Sequence, residues 1–261
     1  MLGAIAGDII GSRFEWHNHK SKEFDLFSDD SHFTDDTVLT VALADSLLSG
    51  TPFVDRLKEY YHRYPRAGYG GRFQQWAASD IRQAYGSCGN GSAMRVSPVG
   101  WYFNDLPTVL SEARHSAVVT HDHPEGIKGA QATAASIFLA RSGENKADIR
   151  DFIVARFGYR FDFTLDDIRP YYRFDVTCQG SVPQALQAFF EANDFEDAIR
   201  NAISIGGDSD TIACITGGIA EAFYGEVPAR ITDQIWCRLD TSLADVVRRF
   251  RSALVKGSNP G

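Results

Sequence analysis

The sequence has little sulfur and little positive charge. Its four cysteines, Cys88, Cys178, Cys214 and Cys237, stand far apart with no CxxC pair. That spacing excludes a cysteine-built zinc cluster or a disulfide framework and leaves reduced, mostly buried thiols as the expectation. Lysine and arginine together number 26 against 34 acids, a net charge of −8. General nucleic-acid binding needs clustered cations to neutralise phosphates and is therefore not expected. No apolar run reaches the roughly 18 residues that span a bilayer, so no membrane partner is expected either. The opening Met1-Leu2-Gly3-Ala4-Ile5-Ala6-Gly7-Asp8 has no basic segment and meets an acid early, unlike a secretory signal, and a cytoplasmic location is expected. Low-complexity tracts, internal repeats and charge blocks are missing too, so nothing marks a domain boundary within 261 residues. The expectation is one domain over 1–256 with a frayed tail at 257–261.

Strict alternation of apolar and polar residues over a strand's length is also absent. Runs rich in Ala, Leu, Gln and Glu repeat instead with the 3.6-residue period, so the expected fold class is all-α. Helices are read over 37–48, from Pro52 through Tyr61, and over 107–119, 125–140, 147–157, 183–192, 195–204, 209–224 and 243–255. Segments 37–48 and 212–223 are apolar on most of their circumference, which marks them as central helices wrapped by amphipathic ones. Between Pro65 and Trp101 the periodicity dissolves into glycine-rich chain, read as a long functional loop.

Acidic clusters open both central helices: Thr34-Asp35-Asp36-Thr37 and Asp208-Ser209-Asp210-Thr211. Capping explains one good acceptor at each place, but not two or three adjacent oxygen donors ahead of both. If the two helices lie side by side in the same direction, four carboxylates and two hydroxyls meet. Charges about 4 Å apart repel by several kcal/mol, so cations must compensate. An all-oxygen donor set selects Mg²⁺, Mn²⁺ or Ca²⁺, and two such ions about 3.5–4 Å apart form a hydrolytic centre. A third element, Gly89-Asn90-Gly91-Ser92-Ala93-Met94-Arg95, lets backbone N–H groups approach an anion, with Arg95 to neutralise charge or anchor the loop. It lacks the Lys-Ser/Thr pair of a nucleotide-binding P-loop. His121-Asp122-His123 has no third ligand at zinc spacing; with His62 or His115 it leaves an all-α metal phosphohydrolase as the rival reading. Asp208-Ser209-Asp210 as a phosphatase nucleophile would need an α/β frame, and Trp76, Trp101 and Trp236 read as core aromatics.

Taken in order, Gly3-Ala4-Ile5-Ala6-Gly7-Asp8-Ile9-Ile10-Gly11-Ser12, Glu15, Thr34-Asp35-Asp36-Thr37, Gly89 to Arg95, Thr120-His121 and Gly206-Gly207-Asp208-Ser209-Asp210-Thr211 resemble the ADP-ribosylglycohydrolase family. The resemblance runs over 2–224. It implies a single-domain orthogonal helical bundle with two Mg²⁺ or Mn²⁺ ions. The implied substrate is an ADP-ribosylated protein or another ADP-ribosyl conjugate, with ADP-ribose as product. Carried onto this sequence, the metal ligands are Thr34, Asp35, Asp36, Asp208, Asp210 and Thr211. Glu15 matches the family's mobile glutamate, and Glu15 or Asp36 handles the proton. The segment 12–30 around Glu15 suits a lid. Gly89, Asn90, Gly91, Ser92 and His121 match positions that hold the diphosphate and the neighbouring ribose, with Ser87 and Met94 as further substrate contacts. One position departs: some relatives carry an adenine-stacking tyrosine where Cys88 stands, and Tyr85 is a candidate replacement ring. A non-catalytic ADP-ribose-binding or structural relative is the other alternative. Six intact ligand positions argue against it, because a structural protein gains nothing from mutually repelling carboxylates.

Overall fold

Helical periodicity is realised throughout. In a computed structural model that describes residues 1–257, the described residues form helices and one isolated bridge between Gly89 and Thr177, with no strand. In chain order the helices are α1 (Leu2–Gly11), α2 (Asp35–Ser49), α3 (Phe53–Arg63), α4 (Gly71–Ala78), α5 (Gly91–Met94), α6 (Ser97–Tyr102), α7 (Leu106–Val118), α8 (Pro124–Arg141), α9 (Lys146–Phe157), α10 (Leu165–Ile168), α11 (Cys178–Glu191), α12 (Phe195–Ser204), α13 (Ser209–Tyr224), α14 (Ala229–Arg238) and α15 (Thr241–Gly257). A 3₁₀ turn, Ser12–Phe14, follows α1. Of the tail expected at 257–261, Gly257 ends α15 and 258–261 lie outside the described residues. Among the described residues no helix is long and apolar enough to cross a membrane.

The central helix is α13, buried from Ser209 through Ala220 and packed against α1, α8, α11 and α12. Its most extensive partner is α1, a helix that glycine at positions 3, 7 and 11 disguises. Each glycine costs an isolated helix about 1 kcal/mol relative to alanine. Tertiary contact explains them. A Cβ on Gly3 would lie 2.1 Å from the Gly217 carbonyl oxygen, and one on Gly7 2.0 Å from that of Ala213. On Gly11 it would lie 2.5 Å from the Asp210 Cα. The stripe of missing side chains lets the two backbones touch, and every residue of α1 is buried.

Side-by-side packing of α2 and α13, the condition set for their acidic motifs to meet, is not what joins them. The two meet only sparingly, and α1 is the neighbour that brings their acidic ends together. The region expected as one long loop also carries α4, α5 and α6; α4 turns Phe73, Trp76 and Ala77 into the core. α11 begins at Cys178, ahead of the Pro183 start read from sequence, and Pro183 sits inside it. No disulfide forms among the described residues: Cys178 and Cys214 are buried, Cys88 is half-buried and Cys237 is exposed.

Candidate active site

One charge in the otherwise apolar α1 organises the acidic centre. Asp8 is fully buried, and an isolated buried carboxylate is costly unless bonded. Its Oδ2 accepts from the backbone N–H of Thr34 at 2.9 Å and of Thr37 at 3.0 Å, and its Oδ1 accepts from the Thr34 hydroxyl at 2.7 Å. Asp8 thus caps α2 from another helix and satisfies N–H groups that a helix start leaves open. Thr34 Oγ1 in turn accepts from the Asp36 N–H at 3.3 Å. The start of α2 is locked to α1, and α1 is locked to α13.

Two groups of carboxylate oxygens result. One oxygen each from Asp8, Asp36 and Asp210 lie within 4.8 Å of one another, and so do one each from Glu15, Asp208 and Asp210. Asp210 belongs to both. The Thr211 hydroxyl donates to Asp36 Oδ2 at 3.1 Å, while Asp36 Oδ1 is buried with no partner among the described residues. Asp208 Oδ2 accepts from the Asn90 side-chain amide at 2.7 Å. No lysine or arginine forms an ion pair with these carboxylates among the described residues.

Burial is the first cause that pushes their proton affinities up. Mutual repulsion adds to it: Asp8, Asp208 and Glu15 act on Asp35, and Asp208 and Asp36 act on Asp210. Asp36 is raised by burial and then by Asp8, Asp35 and Asp208. Glu15, half-buried, is pushed up to about 7 by burial and by the charges of Asp208 and Asp8. An orphaned buried oxygen within an oxygen-only set of uncompensated carboxylates fits a hard divalent cation.

The cluster opens onto a cavity of about 440 Å³, a size suited to a small-molecule moiety. Of the residues singled out from sequence, Glu15, Asp35, Asp36, Ser87, Gly89, Asn90, Gly91, Met94, His121, Asp208, Asp210 and Thr211 line it, as do Tyr85 and Arg95. Thr34 and Ser92 do not. Thr34 is turned to Asp8, and Ser92 is buried with its hydroxyl donating to the Gly126 carbonyl at 2.7 Å. Asn90 lines the cavity but spends its amide on Ser181 Oγ, at 3.0 Å, and on Asp208. Its backbone N–H goes to the Val176 carbonyl at 2.7 Å. It therefore ties the glycine-rich loop to the carboxylates. The histidine set of the rival reading does not assemble. His123 accepts the Glu125 N–H as the cap of α8, His115 contacts Glu112, and among the described residues neither metal-capable group contains a histidine.

Sequence reasoning quoted Asp8 within the first motif but gave it no role, and it missed the rest of the cavity wall. Tyr69, Phe73 and Arg72 join it from the start of α4, and the Arg72 guanidinium lies 5.0 Å from the Tyr85 ring centre. At the mouth, exposed Trp16 stacks on Phe174 with ring centres 5.1 Å apart, beside Glu15. The segment behind Trp16 is fastened down: Asn18 Oδ1 accepts the Gly207 N–H at 2.8 Å, and Lys20 donates to the carbonyls of Tyr172 and Ile205.

Residues 1–257 match the family model described as ADP-ribosylglycohydrolase. The chain is 27% identical over 302 residues to ADP-ribosylhydrolase ARH3 of Xenopus tropicalis, covering 87% of this chain and 86% of that one. It is 28% identical over 307 residues to ADP-ribosylhydrolase ARH3 of Homo sapiens, covering 86% and 84%. A solved structure of an ADP-ribosylglycohydrolase-related protein complex superposes with a TM-score of 0.73 at 25% identity, over 99% of this chain and 96% of that one.

Proposed function

The chain belongs to the ADP-ribosylglycohydrolase family, and from that premise we propose that it hydrolyses the α-glycosidic bond between the distal ribose of ADP-ribose and an acceptor. One observation carries the reading. A single cavity is walled both by an uncompensated carboxylate cluster and by the Gly89 to Gly91 loop with His121 and Arg72. The first suits a hydrolytic centre, and the second suits the anionic part of a nucleotide. Of the donor set read from sequence at the starts of α2 and α13, the cavity-lining Asp35, Asp36, Asp208, Asp210 and Thr211 would hold two Mg²⁺ or Mn²⁺ ions, while Thr34, turned to Asp8, would fix the start of α2. Such ions supply Lewis-acid stabilisation of charge and orientation of ribose oxygens.

The chain's own groups do the rest. Glu15, lining the cavity with an oxygen within 4.8 Å of those of Asp208 and Asp210, would take the proton of the attacking water. Asp36 is the less suited of the two, because its Oδ2 is engaged by Thr211 and the residue is buried. Departure of the acceptor leaves positive charge on the ribose ring, which fixed carboxylates stabilise better than water because they need not reorient. Gly89, Gly91, Ser87, Met94 and His121 form the wall against which the diphosphate and ribose lie. Trp16 and Phe174 close the mouth on the side of Glu15, where the acceptor would leave.

The test is incubation with arginine-linked and serine-linked ADP-ribosyl peptides, with Mg²⁺ or with EDTA, read by mass spectrometry. Free ADP-ribose from one of them, lost with EDTA and lost in Asp210→Ala, is the expected result. Release of AMP or inorganic phosphate instead, or ADP-ribose release that survives EDTA, would overturn it.

A further inference from the structure

Arg95 is fully buried, yet among the described residues only its Nη2 finds partners: it donates to the Ser116 carbonyl at 3.0 Å and to Thr120 Oγ1 at 2.8 Å. Thr120 is also fully buried, and its Oγ1 lies 2.7 Å from His121 Nδ1. A guanidinium can only donate, so the Thr120 oxygen accepts from Arg95. The hydroxyl hydrogen then needs an acceptor of its own. Nδ1 of His121 is the one it has among the described residues, which makes Nδ1 the unprotonated ring nitrogen. Burial, with the charges of Arg95 and Arg72, holds the ring neutral, so it carries one proton and that proton is on Nε2. The Nε2 edge faces the glycine-rich loop. A Cβ on Gly89 would lie 3.5 Å from Nε2, and one on Gly91 3.3 Å from it. His121 lines the cavity there.

We infer that Arg95 and Thr120 form a relay that fixes His121 as the Nε2–H tautomer and so presents a hydrogen-bond donor to an anionic oxygen of the ligand. The opposite tautomer would turn a lone pair toward that oxygen and repel it. The relay makes Thr120 and Arg95 positioning residues. It rests on the proposed function for the ligand's identity, a nucleoside diphosphate sugar, but not for the tautomer, which is a property of the free protein. It also gives a reason for Gly91, where a Cβ would lie 3.3 Å from both Cε1 and Nε2 and crowd that edge of the ring.

Long-range ¹H–¹⁵N correlation of the histidine rings reads the tautomer directly in the wild-type protein without ligand. The expected result is a protonated Nε2 and an unprotonated, hydrogen-bonded Nδ1 for His121, assigned by its loss in His121→Ala. In Thr120→Val this signature should give way to another, and ADP-ribose should bind about tenfold more weakly by calorimetry, the loss expected for one hydrogen bond to a charged group. Thr120→Ser should restore both. A proton on Nδ1 in the wild type, or a folded Thr120→Val protein that binds ADP-ribose as tightly as wild type, would overturn the relay. A wild-type protein with the Nε2–H ring that binds no ADP-ribose would instead overturn the functional reading and leave the relay standing.

Discussion

Replacing Asp8 by alanine separates a capping carboxylate from a passive one. The substitution removes three buried hydrogen bonds, at 2.9, 3.0 and 2.7 Å, and takes the acceptor away from the N–H groups of Thr34 and Thr37. At about 1–3 kcal/mol for each orphaned buried group, less the repulsion that Asp8 exerted on Asp36, the loss comes to about 4 kcal/mol. For a domain of this size that lowers Tm by roughly 8–16 °C. Asp8→Asn keeps one oxygen for both backbone donors and should cost about 1 kcal/mol. Calorimetry in EDTA and again in excess MgCl₂ gives a second readout. Cation binding at 100-fold above Kd stabilises the wild type by about 2.7 kcal/mol. In Asp8→Ala that gain should be largely lost, because Asp35 and Asp36 depend on the clamped start of α2. An alanine variant within about 3 °C of wild type that retains the full Mg²⁺ response would refute the argument that Asp8 holds the two acidic ends together.

Two more outcomes are expected from the same geometry. Gly7→Ala places a Cβ 2.0 Å from a carbonyl oxygen that cannot move without moving α13, whereas Gly71→Ala, at the start of α4, meets nothing within 4 Å. The first should unfold far earlier in urea than wild type, and the second should match wild type or exceed it slightly. Equal midpoints would mean that α1 and α13 can part freely. The cation-free protein should also lose stability as pH rises from about 5 to 7.5. Glu15 moves from an ordinary 4.5 to about 7 on folding, so over that window the folded chain holds protons that the unfolded chain has released. Exposure and screening keep the Glu15 share near about 1 kcal/mol, and the buried aspartates act in the same direction. Saturating Mg²⁺ should flatten the slope, and denaturant midpoints that rise with pH in EDTA would contradict it.

The helical class and the two central helices were legible because α2 and α13 are apolar nearly all round, and a helix of that kind must be enclosed by others to hide its whole circumference from water. α1 was not legible. Its glycines argue against a helix when counted one residue at a time, and they make sense only once Gly217 and Ala213 are known to lie opposite. Likewise α4, α5 and α6 are too short to show a period, and α4 is held by the burial of Phe73 and Trp76 rather than by its own propensity.

The acidic ends were legible for the opposite reason: capping needs one acceptor, and paired carboxylates ahead of a wholly buried helix exceed that need at a cost in repulsion. What sequence could not separate is the side chain that faces the cavity from the neighbour that holds it there. Ser92 and Thr34 fall inside motifs that read as one functional unit, yet their hydroxyls serve Gly126 and Asp8. Asn90 lines the cavity and still gives its side-chain NH₂ to Ser181 and Asp208. The same holds for Thr120 beside His121. A buried polar centre cannot leave donors and acceptors unmatched at its edge, so each carboxylate or imidazole exposed to a ligand requires a second residue spent on fixing it. In a chain of this length that second residue comes from the adjacent motif position or from a helix far away in sequence, as Asp8 does for α2. Only the three-dimensional contact tells the two roles apart.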